Sequence, residues 1–122
     1  MEIFNIEEFI KMKNPNPGTT FRQHLLTEQK AENISGHCTV LAPGEGVPYH
    51  YHERRECIFI VIAGEGTETI EGKEYTLKAN DIMYIPAGEK HGLINKSDGE
   101  FRFIEFNTCT PGDNDRIMAD AE

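Results

Sequence analysis

Val47-Pro48-Tyr49-His50-Tyr51-His52-Glu53-Arg54-Arg55-Glu56-Cys57-Ile58-Phe59-Ile60-Val61-Ile62-Ala63-Gly64 is the stretch on which the fold turns. Its second half, Cys57 to Ile62, is rich in β-branched and aromatic residues and apolar on both faces. It stops at Gly64-Glu65-Gly66, and so reads as a central strand. In its first half His50 and His52 stand two residues apart, which on a strand points both imidazoles to one face. Tyr49 and Tyr51 alternate with them and point away, into packing between sheets.

Outward from that stretch the same pattern repeats. His37-Cys38-Thr39-Val40-Leu41 stops at Pro43-Gly44, and Thr67 to Glu71 and Glu74 to Leu77 flank a Gly72-Lys73 hairpin turn. Asp81-Ile82-Met83-Tyr84-Ile85 ends at Pro86-Ala87-Gly88, and Gly92 to Asn95 and Phe101 to Phe106 flank Ser97-Asp98-Gly99. Strands recurring about every 8–12 residues between Gly and Pro signals predict an all-β sandwich or barrel, not βαβ units. Phe59, Val61, Met83, Ile85, Phe101 and Phe103 are its expected lining or core. Short helical turns are expected only at Ile6 to Ile10 and Glu28 to Asn33, with Asn14-Pro15-Asn16-Pro17-Gly18 a loop. Residues 1–108 thus read as one barrel domain, with 1–18 its N-terminal arm and loop. Residues 109–122 read as a polar, acidic tail without strand periodicity.

At 122 residues, with 38% hydrophobic and 27% charged side chains, the chain fits one soluble domain with one compact core. A formal net charge of −9 argues against nucleic acid and against an anionic membrane surface, both of which need clustered Lys and Arg. No apolar run approaches the roughly 20 residues that cross a bilayer. The N-terminus is acidic and does not read as a signal peptide, so a cytoplasmic location is expected. The three cysteines, Cys38, Cys57 and Cys109, are odd in number and irregularly spaced, which suits a reducing compartment. Cys38 and Cys109 read as small buried hydrophobes.

Of the five histidines, three sit beside turns in this well-patterned region. His91 follows Pro86-Ala87-Gly88-Glu89-Lys90 at the start of a later strand, and barrel closure would bring it opposite His50 and His52. With Glu56, the three imidazoles make a mixed N/O donor set suited to Mn, Fe, Ni, Zn or Cu rather than Ca or Mg. His24 and His37 read as ordinary surface or core histidines. Arg54 and Arg55 read most simply as a solvated turn; at the mouth of a pocket they would instead receive an anionic substrate.

Two spaced motifs carry a family resemblance. The first is Gly44, five residues, His50-Tyr51-His52, three residues, Glu56, and then Gly64; the second is Pro86-Ala87-Gly88-Glu89-Lys90-His91, three residues, and Asn95. Residues 36 to 107 resemble a small single-domain cupin, which implies a double-stranded β-helix, or jelly-roll barrel. The resemblance implies one divalent transition metal on His50, His52 and His91, with a fourth ligand after the histidine pair. Asn80 stands where the second motif opens with Gly, a mild change because Asn tolerates the left-handed region.

The fourth ligand has two candidates. Counting forward from His52 gives Glu56; counting back from Gly64 gives Cys57. Strand alternation puts Cys57 on the face of Phe59 and Val61, and Glu56 faces the site only if a turn or bulge rotates it inward. Glu56 is favoured, because a carboxylate is ionised at neutral pH whereas a thiol must first lose a proton. It is then also the candidate catalytic base.

A metal with open positions suits an enzyme acting on a small polar metabolite, and oxygenase-type chemistry is the leading expectation. Decarboxylase, isomerase and lyase activities, or a non-catalytic sensor or carrier, fit the same barrel. A homodimer paired through a sheet edge is expected, with the Met1 to Ile10 arm crossing to the partner.

Overall fold

A computed structural model describes residues 1–27, 29–108 and 115–120. One short helix, α1 (Ile6–Lys11), precedes β1 (Phe21–Leu26), β2 (Ser35–Leu41), β3 (Gly46–Tyr51), β4 (Cys57–Ala63) and β5 (Glu65–Ile70). There follow β6 (Lys73–Lys78), β7 (Ile82–Ile85), β8 (His91–Ile94), β9 (Phe101–Asn107) and β10 (Ile117–Met118). They form two antiparallel sheets, ordered β1-β2-β9-β4-β7 and β10-β3-β8-β5-β6. This is the all-β barrel expected from the strand spacing, in the double-stranded β-helix form that the cupin resemblance implies.

Alternation sorts each strand into an inner and an outer face. Leu41, Cys57, Phe59, Val61, Ile85, Phe101 and Phe103 from the first sheet meet Leu77 and Leu93 from the second in one buried cluster. The cross-strand register grades this interior from apolar to polar. Leu41 lies opposite Phe101 and Thr39 opposite Phe103, whereas His37 lies opposite Glu105 and Ser35 opposite Asn107. The apolar end closes the barrel, and the polar end surrounds the histidines.

Two backbone positions are dictated by geometry. Gly64 has φ +81°, and a Cβ there would lie 2.2 Å from the Glu100 carbonyl oxygen, so no other residue fits the turn after β4. Asn80 has φ +81°, which confirms the reading of Asn in place of Gly. The β5–β6 turn is centred on Glu71 and Gly72, both at positive φ, one residue earlier than the sequence suggests.

The N-terminal arm is not wholly extended: it carries the short helix α1, which packs on its own barrel. Phe9 of α1 is buried on the outer face of the first sheet with Leu25, Cys38, Ile62 and Ile104, and its carbonyl accepts a hydrogen bond from Arg102. Three expectations need correction. Residues 29–33 form turns and bends rather than a helix, and β1 passed unrecognised because Arg22, Gln23 and His24 make it polar. The segment past residue 108 returns to the barrel: Ile117 and Met118 pair with Tyr51 and His50. Residues 109–114, including Cys109, lie outside the described residues, as do residues 121 and 122.

Because Phe9 is the buried residue of α1 and Ile10 is only partly buried against the same cluster, Phe9→Ala should cost about 3 kcal/mol of stability in denaturant unfolding. The histidine cluster lies on the opposite side of the sheet, so the variant should keep the parent's metal content.

Candidate metal centre

His50 in β3 and His91 at the start of β8 are direct cross-strand partners, and a register irregularity between Val47 and His50 re-aims the end of β3. His52 follows immediately. The ring centroids lie 4.2 Å (His50–His91), 4.9 Å (His50–His52) and 5.5 Å (His52–His91) apart. All three residues are buried, and their candidate ligand atoms lie within 4.8 Å of one another.

The orientation of each ring is fixed from behind. His50 Nδ1 lies 2.6 Å from the Pro48 carbonyl, His91 Nδ1 lies 2.9 Å from the Glu89 carbonyl, and His52 Nδ1 lies 2.9 Å from the Asp115 carbonyl. A carbonyl only accepts, so each Nδ1 carries the proton and donates it, which leaves each Nε2 with its lone pair. Burial holds all three imidazoles below their ordinary pKa, His50 down to about 4, so they are neutral at physiological pH. Three neutral, pre-oriented nitrogen donors are the chemistry a divalent transition metal requires, and the residues present fit such an ion.

Glu56 is not brought to this cluster, contrary to the sequence expectation. It is exposed and precedes β4; its carboxylate accepts a hydrogen bond from the outward-facing Tyr84 hydroxyl, and its backbone is tied to Thr108. The pleat decides this: positions 57, 59 and 61 face the barrel core. Cys57 therefore takes the inward position and lines the cavity. It stands outside the group of metal-spaced donors, and burial pushes its thiol pKa upward, so it remains a protonated wall.

The histidines open into a cavity of about 560 Å³ between the sheets. His24 and His37, cross-strand partners on β1 and β2, also line it, so every histidine of the chain faces one space. Two carboxylates face it as well. Glu105 bonds to Arg55 at 3.1 Å and accepts from Asn107 at 3.0 Å. Burial pushes its carboxyl up, but His37, Asn107 and Arg55 outweigh that and hold it below the usual range. Glu68 on β5 is 2% exposed, and burial, followed by the Glu105 charge, raises its carboxyl well above the usual range. Thr39 Oγ1, Glu68 Oε2 and Asn107 Oδ1 are buried on this lining without a hydrogen-bond partner. Arg22 and Arg116 join Arg55 on the wall, and neither is ion-paired among the described residues. Arg54 instead points outward, 3.5 Å from the Asp115 carboxylate.

Sequence reasoning missed Glu68, Glu105, His37 and Arg116. Alternation could have found two of them, because Glu68 shares a face with Ile70, and Glu105 with Phe101 and Phe103.

Residues 37–107 match a cupin domain model. The chain is 33% identical over 83 residues to an oxalate-binding protein of Thermotoga maritima, covering 66% of this chain and 69% of that protein. It is 32% identical over 114 residues to a mannose-1-phosphate guanylyltransferase of Salmonella montevideo, covering 88% of this chain but only 24% of the enzyme. A conserved double-stranded β-helix protein from Klebsiella pneumoniae superposes with a TM-score of 0.76 at 25% identity, over 98% of both chains.

Two outcomes follow from the geometry. Truncation after Thr108 removes the Asp115 carbonyl behind His52 and should weaken metal binding about 10–100-fold in competition with a chromogenic chelator. For the metal-free protein, the unfolded chain takes up protons near pH 6.5 that folded His50 refuses until about pH 4. This contribution to stability is complete above pH 6.5 and is lost as the pH falls toward 4. Melting temperatures across that window should drop less in His50→Gln than in the parent.

Proposed function

Because the chain belongs to the cupin family, we propose that it is a metal-dependent enzyme acting on a small carboxylate-bearing metabolite inside the barrel. His50, His52 and His91 hold the ion. The observation that carries this reading is the convergence of three neutral imidazole donors on a cavity that also carries guanidiniums and partnerless polar atoms. Arg22 and Arg116 supply positive charge on the wall, while Arg55 is already engaged by Glu105. Mutual repulsion among these cations contributes to holding Arg116 below its ordinary pKa, behind burial as the first cause. An entering carboxylate offsets that repulsion.

His50, His52 and His91 would hold the ion and leave part of its coordination open toward the cavity. Such an ion supplies Lewis-acid polarisation and, as Fe(II), a site for oxygenase-type chemistry. The residues of the chain do the rest. The carbonyl-anchored histidines fix the direction of the open positions, Phe59, Phe103, Ile85 and Leu93 exclude bulk water, and the arginines orient the acid. A second reading, a non-catalytic carrier or sensor of the same acids, is favoured by the relative named as an oxalate-binding protein.

The test is elemental analysis followed by ligand and turnover assays. The purified protein should carry about one equivalent of transition metal, and His50→Ala/His52→Ala should carry none. Oxalate and small 2-oxo or 2-hydroxy acids should raise the melting temperature of the loaded parent only. O2 consumption by the Fe(II)-loaded protein with one of these acids supports the enzyme. Thermal shifts without any turnover support the carrier. A parent that binds neither metal nor acid overturns both.

A further inference from the structure

Glu68 takes no part in the histidine cluster, forms no ion pair among the described residues, and is nevertheless one of the most deeply buried side chains in the protein. A lone carboxyl in such a place is costly unless something pairs with it. Its Oε2 is buried without a hydrogen-bond partner, and the residue is one of those that line the cavity. The register locates it: on the second sheet β5 lies beside β8, with Glu68 opposite Leu93 and Ile70 opposite His91. Glu68 therefore sits diagonally next to His91 on the wall that holds the metal-spaced donors, one layer toward the apolar end. Among the described residues no cation is ion-paired with it; Arg55, on the same cavity, is bonded to Glu105.

We propose that Glu68 is the specificity-determining residue of the pocket, its carboxyl group turning to hydrogen-bond an oxygen of the carboxylate ligand held at His50, His52 and His91. This rests on the metal-and-carboxylate reading above. In the neutral form that its surroundings favour, Glu68 donates the hydrogen bond rather than repelling the anion. It then selects acids with a second oxygen function beside the chelating carboxylate, such as a dicarboxylate or a 2-oxo acid, over a simple monocarboxylate that leaves Oε2 unpaired.

Calorimetric titration of the Mn(II)-loaded protein with oxalate and with acetate tests this, using the parent, Glu68→Gln and Glu68→Leu. Metal content and melting temperature establish that each variant is folded and loaded. Gln keeps a neutral donor of the same shape and should bind oxalate within about threefold of the parent; Leu should lose about tenfold or more. The preference for oxalate over acetate should shrink in Leu alone. A second readout needs no binding variant: a protonated carboxylic acid band in the infrared spectrum should shift when oxalate is added and be missing in Glu68→Gln.

Parent-like oxalate binding by Glu68→Leu overturns the proposal, because Glu68 then does not touch the ligand. Binding about tenfold tighter in Glu68→Gln also overturns it, since Glu68 would then be ionised and opposing the anion. So does loss of metal from both variants, which would make Glu68 a ligand of the ion. Failure of the loaded parent itself to bind oxalate or any other small acid is a separate result: it overturns the functional reading, and this inference with it.

Discussion

The interior of this barrel depends on three hydrogen bonds that run away from it. His50, His52 and His91 each donate Nδ1–H to a backbone carbonyl, of Pro48, Asp115 and Glu89. Those carbonyls belong to rigid strand ends or to the loops that bound them, so ring orientation is set by the backbone rather than by side-chain packing. With Nδ1 committed, the Nε2 lone pairs face the cavity, and burial keeps them unprotonated. Three imidazoles packed this closely would repel one another if protonated. The bonds thus fix the tautomer, and burial, outweighing their pull toward the protonated ring, fixes the charge state in which the three can coexist.

The Asp115 contact ties this constraint to the end of the described chain. Ile117 and Met118 add a short strand beside β3, and the Asp115 carboxylate accepts from the backbone N–H groups of Arg54 and Arg55. The loop after His52 is thereby pinned from outside. This loop sets where β4 begins, and so which residue first faces inward. A segment that looks like an acidic appendage in sequence is a structural part of the site.

The architecture was legible because its signals are periodic: Gly and Pro at strand ends, alternation within strands, and two histidine motifs in a fixed order. The histidine triad was legible for the same reason. Glu56 was misplaced because the ready ionisation of a carboxylate was weighed above the pleat; four residues, not three, separate His52 from the inward position, and Cys57 occupies it. The remaining polar lining was hidden for a different reason. Glu68 lies in the polar strand Glu65-Gly66-Thr67-Glu68-Thr69-Ile70, where composition gives no sign of an inner face. Glu105 is flanked by Ile104 and Phe106, which pack outward under α1 and make the strand look apolar on both sides. The two-residue β10 is too short for any periodicity to register.

The charge of the protein and the charge of its cavity point in opposite directions. The chain carries a net −9, yet Arg22, Arg55 and Arg116 line the cavity against Glu105, held below the usual carboxylate range, and Glu68, whose carboxyl burial pushes well above it. The outer field is screened within about 8 Å at physiological ionic strength, so it cannot choose a ligand that has reached the barrel mouth. Inside, the lower dielectric strengthens each guanidinium, and polar atoms without partners raise the cost of an empty or mismatched cavity. Under the proposed function, selection for a small anion would be exercised after entry, by groups that the global composition conceals.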